Sequence, residues 1–379
     1  MATANLSVKI WGHTFRNPVI PAAGPNVGSG QMIRRAAEGG AGGLLAKTIS
    51  GIAAPVPHPN MVRIGKDNLL NTELWSELSP DAWFDHEYDI ALAAAREFNL
   101  PLIASVGYTP EDLSALGPRL QRKGIDIIEF SIHYLDPERL TETARALRNA
   151  VSIPIFAKLS QHAGDLGNIA LLLEPFVDGY TCINSFGPTL TIDIERGTTP
   201  LGSQYGYGWL SGPAIKPIAV RSVFEVARVT QKPVFGVGGV TKGEDVIEFL
   251  MAGASLVEVC TAASLKGTDV YGKIAAETGQ WLDEHGYKDI EEVRGMYLEK
   301  YRQGQTVVTT VEQTAWVDES KCKACTLCEK VCQFDALDAP PKQIARVDVN
   351  NCSACGLCVS VCPFGALELR ARSSILQKS

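Results

Sequence analysis

Eight short apolar runs separated by amphipathic stretches, and then two identically spaced cysteine runs, predict an α/β chain. The architecture expected is a TIM (β/α)8 barrel followed by a small α+β two-cluster, ferredoxin-like domain. The barrel is expected over 1–299, a polar linker over 300–315 and the small domain over 316–379. A chain of 379 residues, 45% of them hydrophobic, can bury one large core beside a small one.

Taken in order, the apolar runs cover 18–22, 43–47, 101–106, 125–132, 154–159, 179–183, 233–237 and 256–260. Helical patterns lie between them, for example at 32–38, 110–123, 137–151 and 215–230, and a last helix near 269–285 should close the ring. Several strands open after Pro or a Gly-containing pair, which supplies the turn before a buried parallel strand. A doubly wound sheet is the competing fold. It rarely needs eight units and would call for an early G-x-G-x-x-G, which is absent.

Composition narrows the class. Eight of the ten cysteines sit in the two C-terminal runs, leaving Cys182 and Cys260, so no disulfide framework is implied and a reducing compartment is expected. The N-terminal residues lack a basic region followed by an apolar run, and no stretch of about 18 apolar residues occurs. A cytoplasmic protein without membrane attachment is expected. The net charge of -7, with no basic stripe, argues against nucleic acid as a partner. A homo-oligomer or hetero-oligomer is expected.

The cysteine runs read C-K-A-C-T-L-C-E-K-V-C from Cys322 and C-S-A-C-G-L-C-V-S-V-C from Cys352. Each is C-x2-C-x2-C-x3-C, in which three close thiolates take three corners of a cube and the fourth serves the other cluster. One [4Fe-4S] cluster is therefore assigned to Cys322, Cys325, Cys328 and Cys362, and the other to Cys352, Cys355, Cys358 and Cys332. Zinc and disulfides are the alternatives, but zinc needs four ligands per ion and gives no reason for two four-cysteine runs. Gln333 follows the first run where Pro363 follows the second, which leaves ligation intact.

In a barrel of this kind chemistry sits at the C-terminal ends of the strands. F-G-V-G-G-V-T-K, from Phe235, ends the seventh strand in glycines, and V-E-V-C-T-A-A ends the eighth. Backbone N–H groups at Gly238, Gly239, Cys260 and Thr261 make a candidate phosphate cradle, set against an ordinary tight turn. Lys47 and Lys158 end buried apolar runs, where an unpaired ammonium is costly. A partner rich in acceptors, such as a flavin ring, accounts for both. Snorkelling at the barrel rim is the plainer alternative.

These motifs, together with P-A-A-G (21–24), N-T-E-L-W-S-E (71–77), C-I-N-S (182–185) and L-S-G-P-A-I-K-P-I-A (210–219), make the barrel similar to the dihydroorotate dehydrogenases of the first class. With its cysteine-rich tail the chain resembles the FMN and iron–sulfur half of dihydropyrimidine dehydrogenase. The resemblance implies FMN held by Ala23, Gly24, Lys47, Thr48, Lys158, Asn184, Ser185, Ser211, Gly212, Gly238, Gly239, Cys260 and Thr261. It also implies substrate contacts from Asn71, Glu73, Asn184 and Ser185.

One segment departs from that pattern. The family carries N-L-S-C-P after strand four, where the cysteine or serine exchanges a proton with the substrate carbon. Here F-S-I-H-Y-L-D, from Phe130, puts Ser131 at the substrate-binding asparagine and Tyr134 at the proton-transferring position. A phenol holds its proton at neutral pH and suits protonation of carbon, so the exchange leans toward a reductase. Tyr134, Lys47 and His133 form the candidate catalytic set, with His162 a further possible donor. Against this stand a Tyr134 that only shapes the pocket and a structural His133.

Asn71 and Glu73 fall on one face of an extended segment, suited to gripping an N–H and a C=O of a cyclic amide. The alternative is that Glu73 pairs with a barrel lysine. With Ser131 replacing a larger residue, the substrate is expected to be an unsaturated ring or conjugated carbonyl compound other than uracil, thymine or orotate. Clusters pass single electrons and FMN accepts one or two, so the parts read as a reductase of a C=C bond conjugated to a carbonyl. No second nucleotide fingerprint is present, so an external donor is expected, either an NAD(P)H-oxidising FAD subunit or a ferredoxin. The rivals are the reverse dehydrogenase and an electron-transfer subunit with FMN as relay.

Overall fold

The computed structural model describes residues 4–131, 136–161, 164–306 and 312–373. They divide into two compact units, Met1–Gln303 and Gly304–Ser379.

The first unit is built on eight parallel strands: β1 (Val19–Pro21), β2 (Leu44–Ile49), β3 (Leu102–Val106), β4 (Ile127–Ser131), β5 (Ile155–Leu159), β6 (Gly179–Cys182), β7 (Val234–Val237) and β8 (Leu256–Val259). Their order in the sheet runs β1-β8-β7-β6-β5-β4-β3-β2. Gly42, just before β2, donates its N–H to Val19 O of β1 at 2.7 Å and draws the two ends together. Each strand leads to a helix: α1 (Gly30–Glu38), α2 (Tyr88–Phe98), α3 (Pro110–Lys123), α4 (Pro137–Ala150), α5 (Leu166–Leu173), α6 (Lys216–Ala227), α7 (Gly243–Met251) and α8 (Val270–Glu284). This is the (β/α)8 barrel expected.

Local sequence explains where the helices begin. Thr109 and Asp136 accept hydrogen bonds from first-turn N–H groups of α3 and α4, each with proline at the first helical position. Gly124, at φ +94°, ends α3 in the left-handed conformation. The strands are buried along their whole length, as expected when helices cover the outer face of a parallel barrel and side chains fill its interior.

A feature outside the βα alternation sits over the barrel. Met61–Ile64, Asn68–Asn71, Phe186–Thr189 and Gly208–Ser211 form a four-stranded antiparallel sheet from the segments after β2 and β6. It brings Asn71 opposite Trp209 and Ser211 opposite Leu69.

In the second unit, Gln313–Val317 pairs antiparallel with Leu367–Ala371, and Leu337–Asp338 with Arg346–Val347. The first of these strands begins within the segment read as linker. The cysteine runs fold alike: Ala324 and Ala354 take positive φ (51° and 57°), as do Thr326 and Gly356 (66° and 79°). Each pair is followed by a short helix, Leu327–Val331 or Leu357–Val361. Among the described residues no helix is long and apolar enough to cross a membrane.

Candidate active site

The C-terminal ends of the barrel strands surround a cavity enclosing about 1040 Å³ of empty space, its open mouth included. All the expected cofactor- and substrate-binding residues line it: Ala23, Gly24, Lys47, Thr48, Asn71, Glu73, Ser131, Lys158, Asn184, Ser185, Ser211, Gly212, Gly238, Gly239, Cys260 and Thr261. Tyr134, His133 and His162 lie outside the described residues.

The cavity suits a large flat ligand with a phosphate. Gly212, Gly238 and Gly239 all take positive φ (99°, 135° and 82°), and a Cβ on Gly239 would come within 2.8 Å of Gly212 O. Only glycine fits there, so backbone itself forms that wall. A Cβ on Gly24 would lie 2.4 Å from Cys260 Sγ, so the first and eighth strand ends are in close contact. Thr261 Oγ1 donates to Ser211 Oγ at 2.8 Å and ties the eighth strand end to the overlying sheet. These residues fit FMN, a ligand that needs a glycine-walled cleft with a few convergent polar groups.

The two lysines have protein partners, which revises the reason for their placement. Lys47 is paired with Glu73, and Asn60 also donates to that carboxylate. Lys158 Nζ donates to Glu129 Oε1 at 3.2 Å and Glu258 Oε2 at 2.9 Å, with all three side chains buried. Burial opposes the Lys158 charge, but the two carboxylates outweigh it and hold its pKa above the usual value. The acceptor-rich partner inferred from sequence is thus supplied first by carboxylates. Asn71 is also engaged: its Nδ2 donates to Trp209 O at 3.0 Å and its Oδ1 accepts from Glu73 N at 3.2 Å. Of the two readings of Glu73, the structure shows pairing with a barrel lysine.

Among the lining residues that escaped the sequence reading, Tyr108 and Glu258 carry ionisable groups. Tyr108, just past β3, has its hydroxyl hydrogen-bonded to Ser131 and its ring edge-on to Trp75 at 5.6 Å. Burial pushes its pKa up to about 12, against the lowering effects of Lys158 and the Ser131 hydrogen bond. Glu258 interrupts the apolar run of β8, a signal of the same kind as the strand-end lysines.

In the second unit the cysteines gather in two quartets. Cys322, Cys325, Cys328 and Cys362 line one small hollow, and Cys332, Cys352, Cys355 and Cys358 line another. The partition follows the crossed spacing of the motif. Among the described residues no three His, Cys, Asp or Glu side chains converge on a single ion. Thiolates standing around a void suit the corners of an iron–sulfur cube. Backbone N–H groups of Ala315, Ala336 and Ala366 donate to Cys352, Cys332 and Cys362 Sγ, each at 3.4 Å.

Comparison with known proteins finds a family for each part of the chain. The profile described as Dihydroorotate dehydrogenase matches residues 134–282, and that described as 4Fe-4S dicluster domain matches 315–369. The catalytic subunit of dihydroorotate dehydrogenase B (NAD(+)) from Pyrococcus furiosus is 32% identical over 309 residues, covering 77% of this chain and 98% of the relative. The chain belongs to the dihydroorotate dehydrogenase family. The corresponding subunit from Methanothermobacter thermautotrophicus is 33% identical over 308 residues, covering 77% of this chain and 98% of that protein. That from Thermoplasma acidophilum is 32% identical over 312 residues, covering 78% and 99%. As a member of this family the chain is an oxidoreductase acting on CH–CH groups, with FMN and an iron–sulfur domain.

Proposed function

We propose that the protein reduces a C=C bond conjugated to a carbonyl in a small uncharged substrate, with electrons entering through two [4Fe-4S] clusters. The observation that carries this reading is the Tyr108 phenol, a lining acid that keeps its proton at neutral pH. When bound, FMN supplies hydride chemistry and exchanges single electrons with iron–sulfur centres. The chain's own residues supply the rest. Tyr108 holds a proton at its hydroxyl oxygen for the carbon next to the carbonyl. The phenolate left behind is stabilised by the Ser131 hydrogen bond and the nearby Lys158 charge. Trp75 fixes the ring that carries it. Tyr134, in the departing segment, is the second candidate donor.

The charge of the cavity supports an uncharged substrate. Among its described lining residues the only two cations, Lys47 and Lys158, are already held by carboxylates. A carboxylated ring such as orotate would have to break one of these pairs. The relatives' name favours a second reading, oxidation of a dihydro ring with electrons leaving toward NAD+. That name also agrees with an NAD(P)H-linked FAD subunit as redox partner, a soluble ferredoxin being the other choice.

Equilibrium titration of the FMN-loaded protein separates the two readings. Uncharged cyclic enamides and enones should perturb the flavin spectrum at concentrations where orotate does not. Tighter binding of orotate than of every uncharged ring would favour the dehydrogenase.

A further inference from the structure

Beneath the cavity, three ionisable side chains meet inside the barrel: Glu129 from β4, Lys158 from β5 and Glu258 from β8. Lys158 and Glu258 line the cavity, so this cluster is its floor. One ammonium faces two carboxyl groups. Each carboxyl gives one oxygen to Lys158, and each keeps a second oxygen, Glu129 Oε2 or Glu258 Oε1, that is buried with no hydrogen-bond donor among the described residues. The two carboxyl groups face each other within hydrogen-bonding reach, an arrangement completed only by a proton between them. With both ionised, the floor would carry a buried, uncompensated negative charge, which a dry interior strongly disfavours.

We infer that Glu129 and Glu258 share one proton at neutral pH, and that this proton keeps the floor neutral so that the FMN site tolerates the electron-rich, reduced flavin ring. Among the described residues, the other ionisable groups around the cluster are Cys182 on β6, Cys260 at the end of β8 and, beyond Lys158, Tyr108; the Lys47–Glu73 pair past Cys260 is neutral as a pair. Burial holds both thiols above their ordinary pKa, and Tyr108 keeps its proton, so none of the three adds charge at neutral pH. Burial, and then Glu129, hold the Glu258 carboxyl well above the usual carboxylate range. The inference concerns the charge of the FMN site and holds for either direction of the reaction.

The first test reads the proton itself. The parent protein at neutral pH should show a protonated-carboxyl C=O band in the infrared that shifts in D2O. Glu258→Gln and Glu129→Gln should each abolish it, because the carboxylate that remains pairs one-to-one with Lys158. No such band in the parent, or a band that survives both substitutions, overturns the inference.

The second test reads the floor charge through FMN. With the proton shared, the parent and Glu258→Gln carry the same floor charge. Their ratio of affinities for reduced and oxidised FMN, taken from the midpoint potential at neutral pH, should therefore agree within about threefold. A ratio about tenfold or more in favour of reduced FMN in Glu258→Gln would mean that the parent floor is negative, and the inference fails.

Discussion

The hydroxyl of Tyr108, just past β3, is hydrogen-bonded to Ser131, the last residue of β4. Ser131 stands beside Lys158 in the register of β4 and β5, so a phenol, its hydrogen-bond partner and a cation share one wall of the cavity.

Tyr108→Phe removes one hydroxyl and should leave FMN and iron content unchanged. Reoxidation of the reduced protein by substrate should slow about a hundredfold, the usual contribution of a positioned acid. The Michaelis constant should change little, because the proton moves in the transition state. The same loss in Tyr134→Phe, with none in Tyr108→Phe, would move the acid to the segment after β4.

The pH profile identifies the acid independently. A phenol with its pKa near 12 is protonated throughout the neutral range and is lost as donor only when pH rises toward that value. The reductive rate should therefore be flat from about pH 6 to about pH 9. A histidine donor such as His133 or His162 would instead make it fall as pH rises through about 6.5.

Glu73→Gln leaves the Lys47 ammonium without its carboxylate in a site where both side chains are nearly buried. Denaturant titration should show a loss of about 3 kcal/mol or more. Adding Lys47→Met should restore much of that stability, since it removes the stranded charge. If Glu73→Gln costs nothing, the pair is not buried in solution.

Sequence periodicity exposed all eight barrel strands, because a parallel strand buried on both faces reads as an unbroken apolar run. It missed the antiparallel sheet of Met61–Ile64, Asn68–Asn71, Phe186–Thr189 and Gly208–Ser211. Those strands are four residues apiece and carry no long alternation. The cysteine partition was legible because covalent spacing fixes it. The lysines' partners were not: Glu73 is 26 residues from Lys47, and Glu258 is 100 residues from Lys158. Closure of the barrel brings them together. Tyr108 was passed over because a single aromatic after a glycine looks like an ordinary turn residue.

The two cysteine runs predict a difference in local strain. Thr326 adopts the left-handed conformation that Gly356 takes in the second run. Gly356→Ala should destabilise its half by about 1 kcal/mol, read as faster cluster loss to a chelator. Thr326→Gly should slow loss from the first half, and the opposite order would contradict the equivalence of the two turns.

Electron flow through the whole molecule is tested by anaerobic reoxidation. Protein loaded to about eight iron atoms and one FMN is reduced with dithionite and mixed with uncharged cyclic enamides and enones, with flavin and cluster absorbance followed together. At least one of these compounds should reoxidise both centres and be recovered with its C=C bond saturated, one equivalent for every two electrons and two protons. If none does so, while dihydroorotate reduces the oxidised protein, the reaction runs as a dehydrogenase and the proposed direction is wrong.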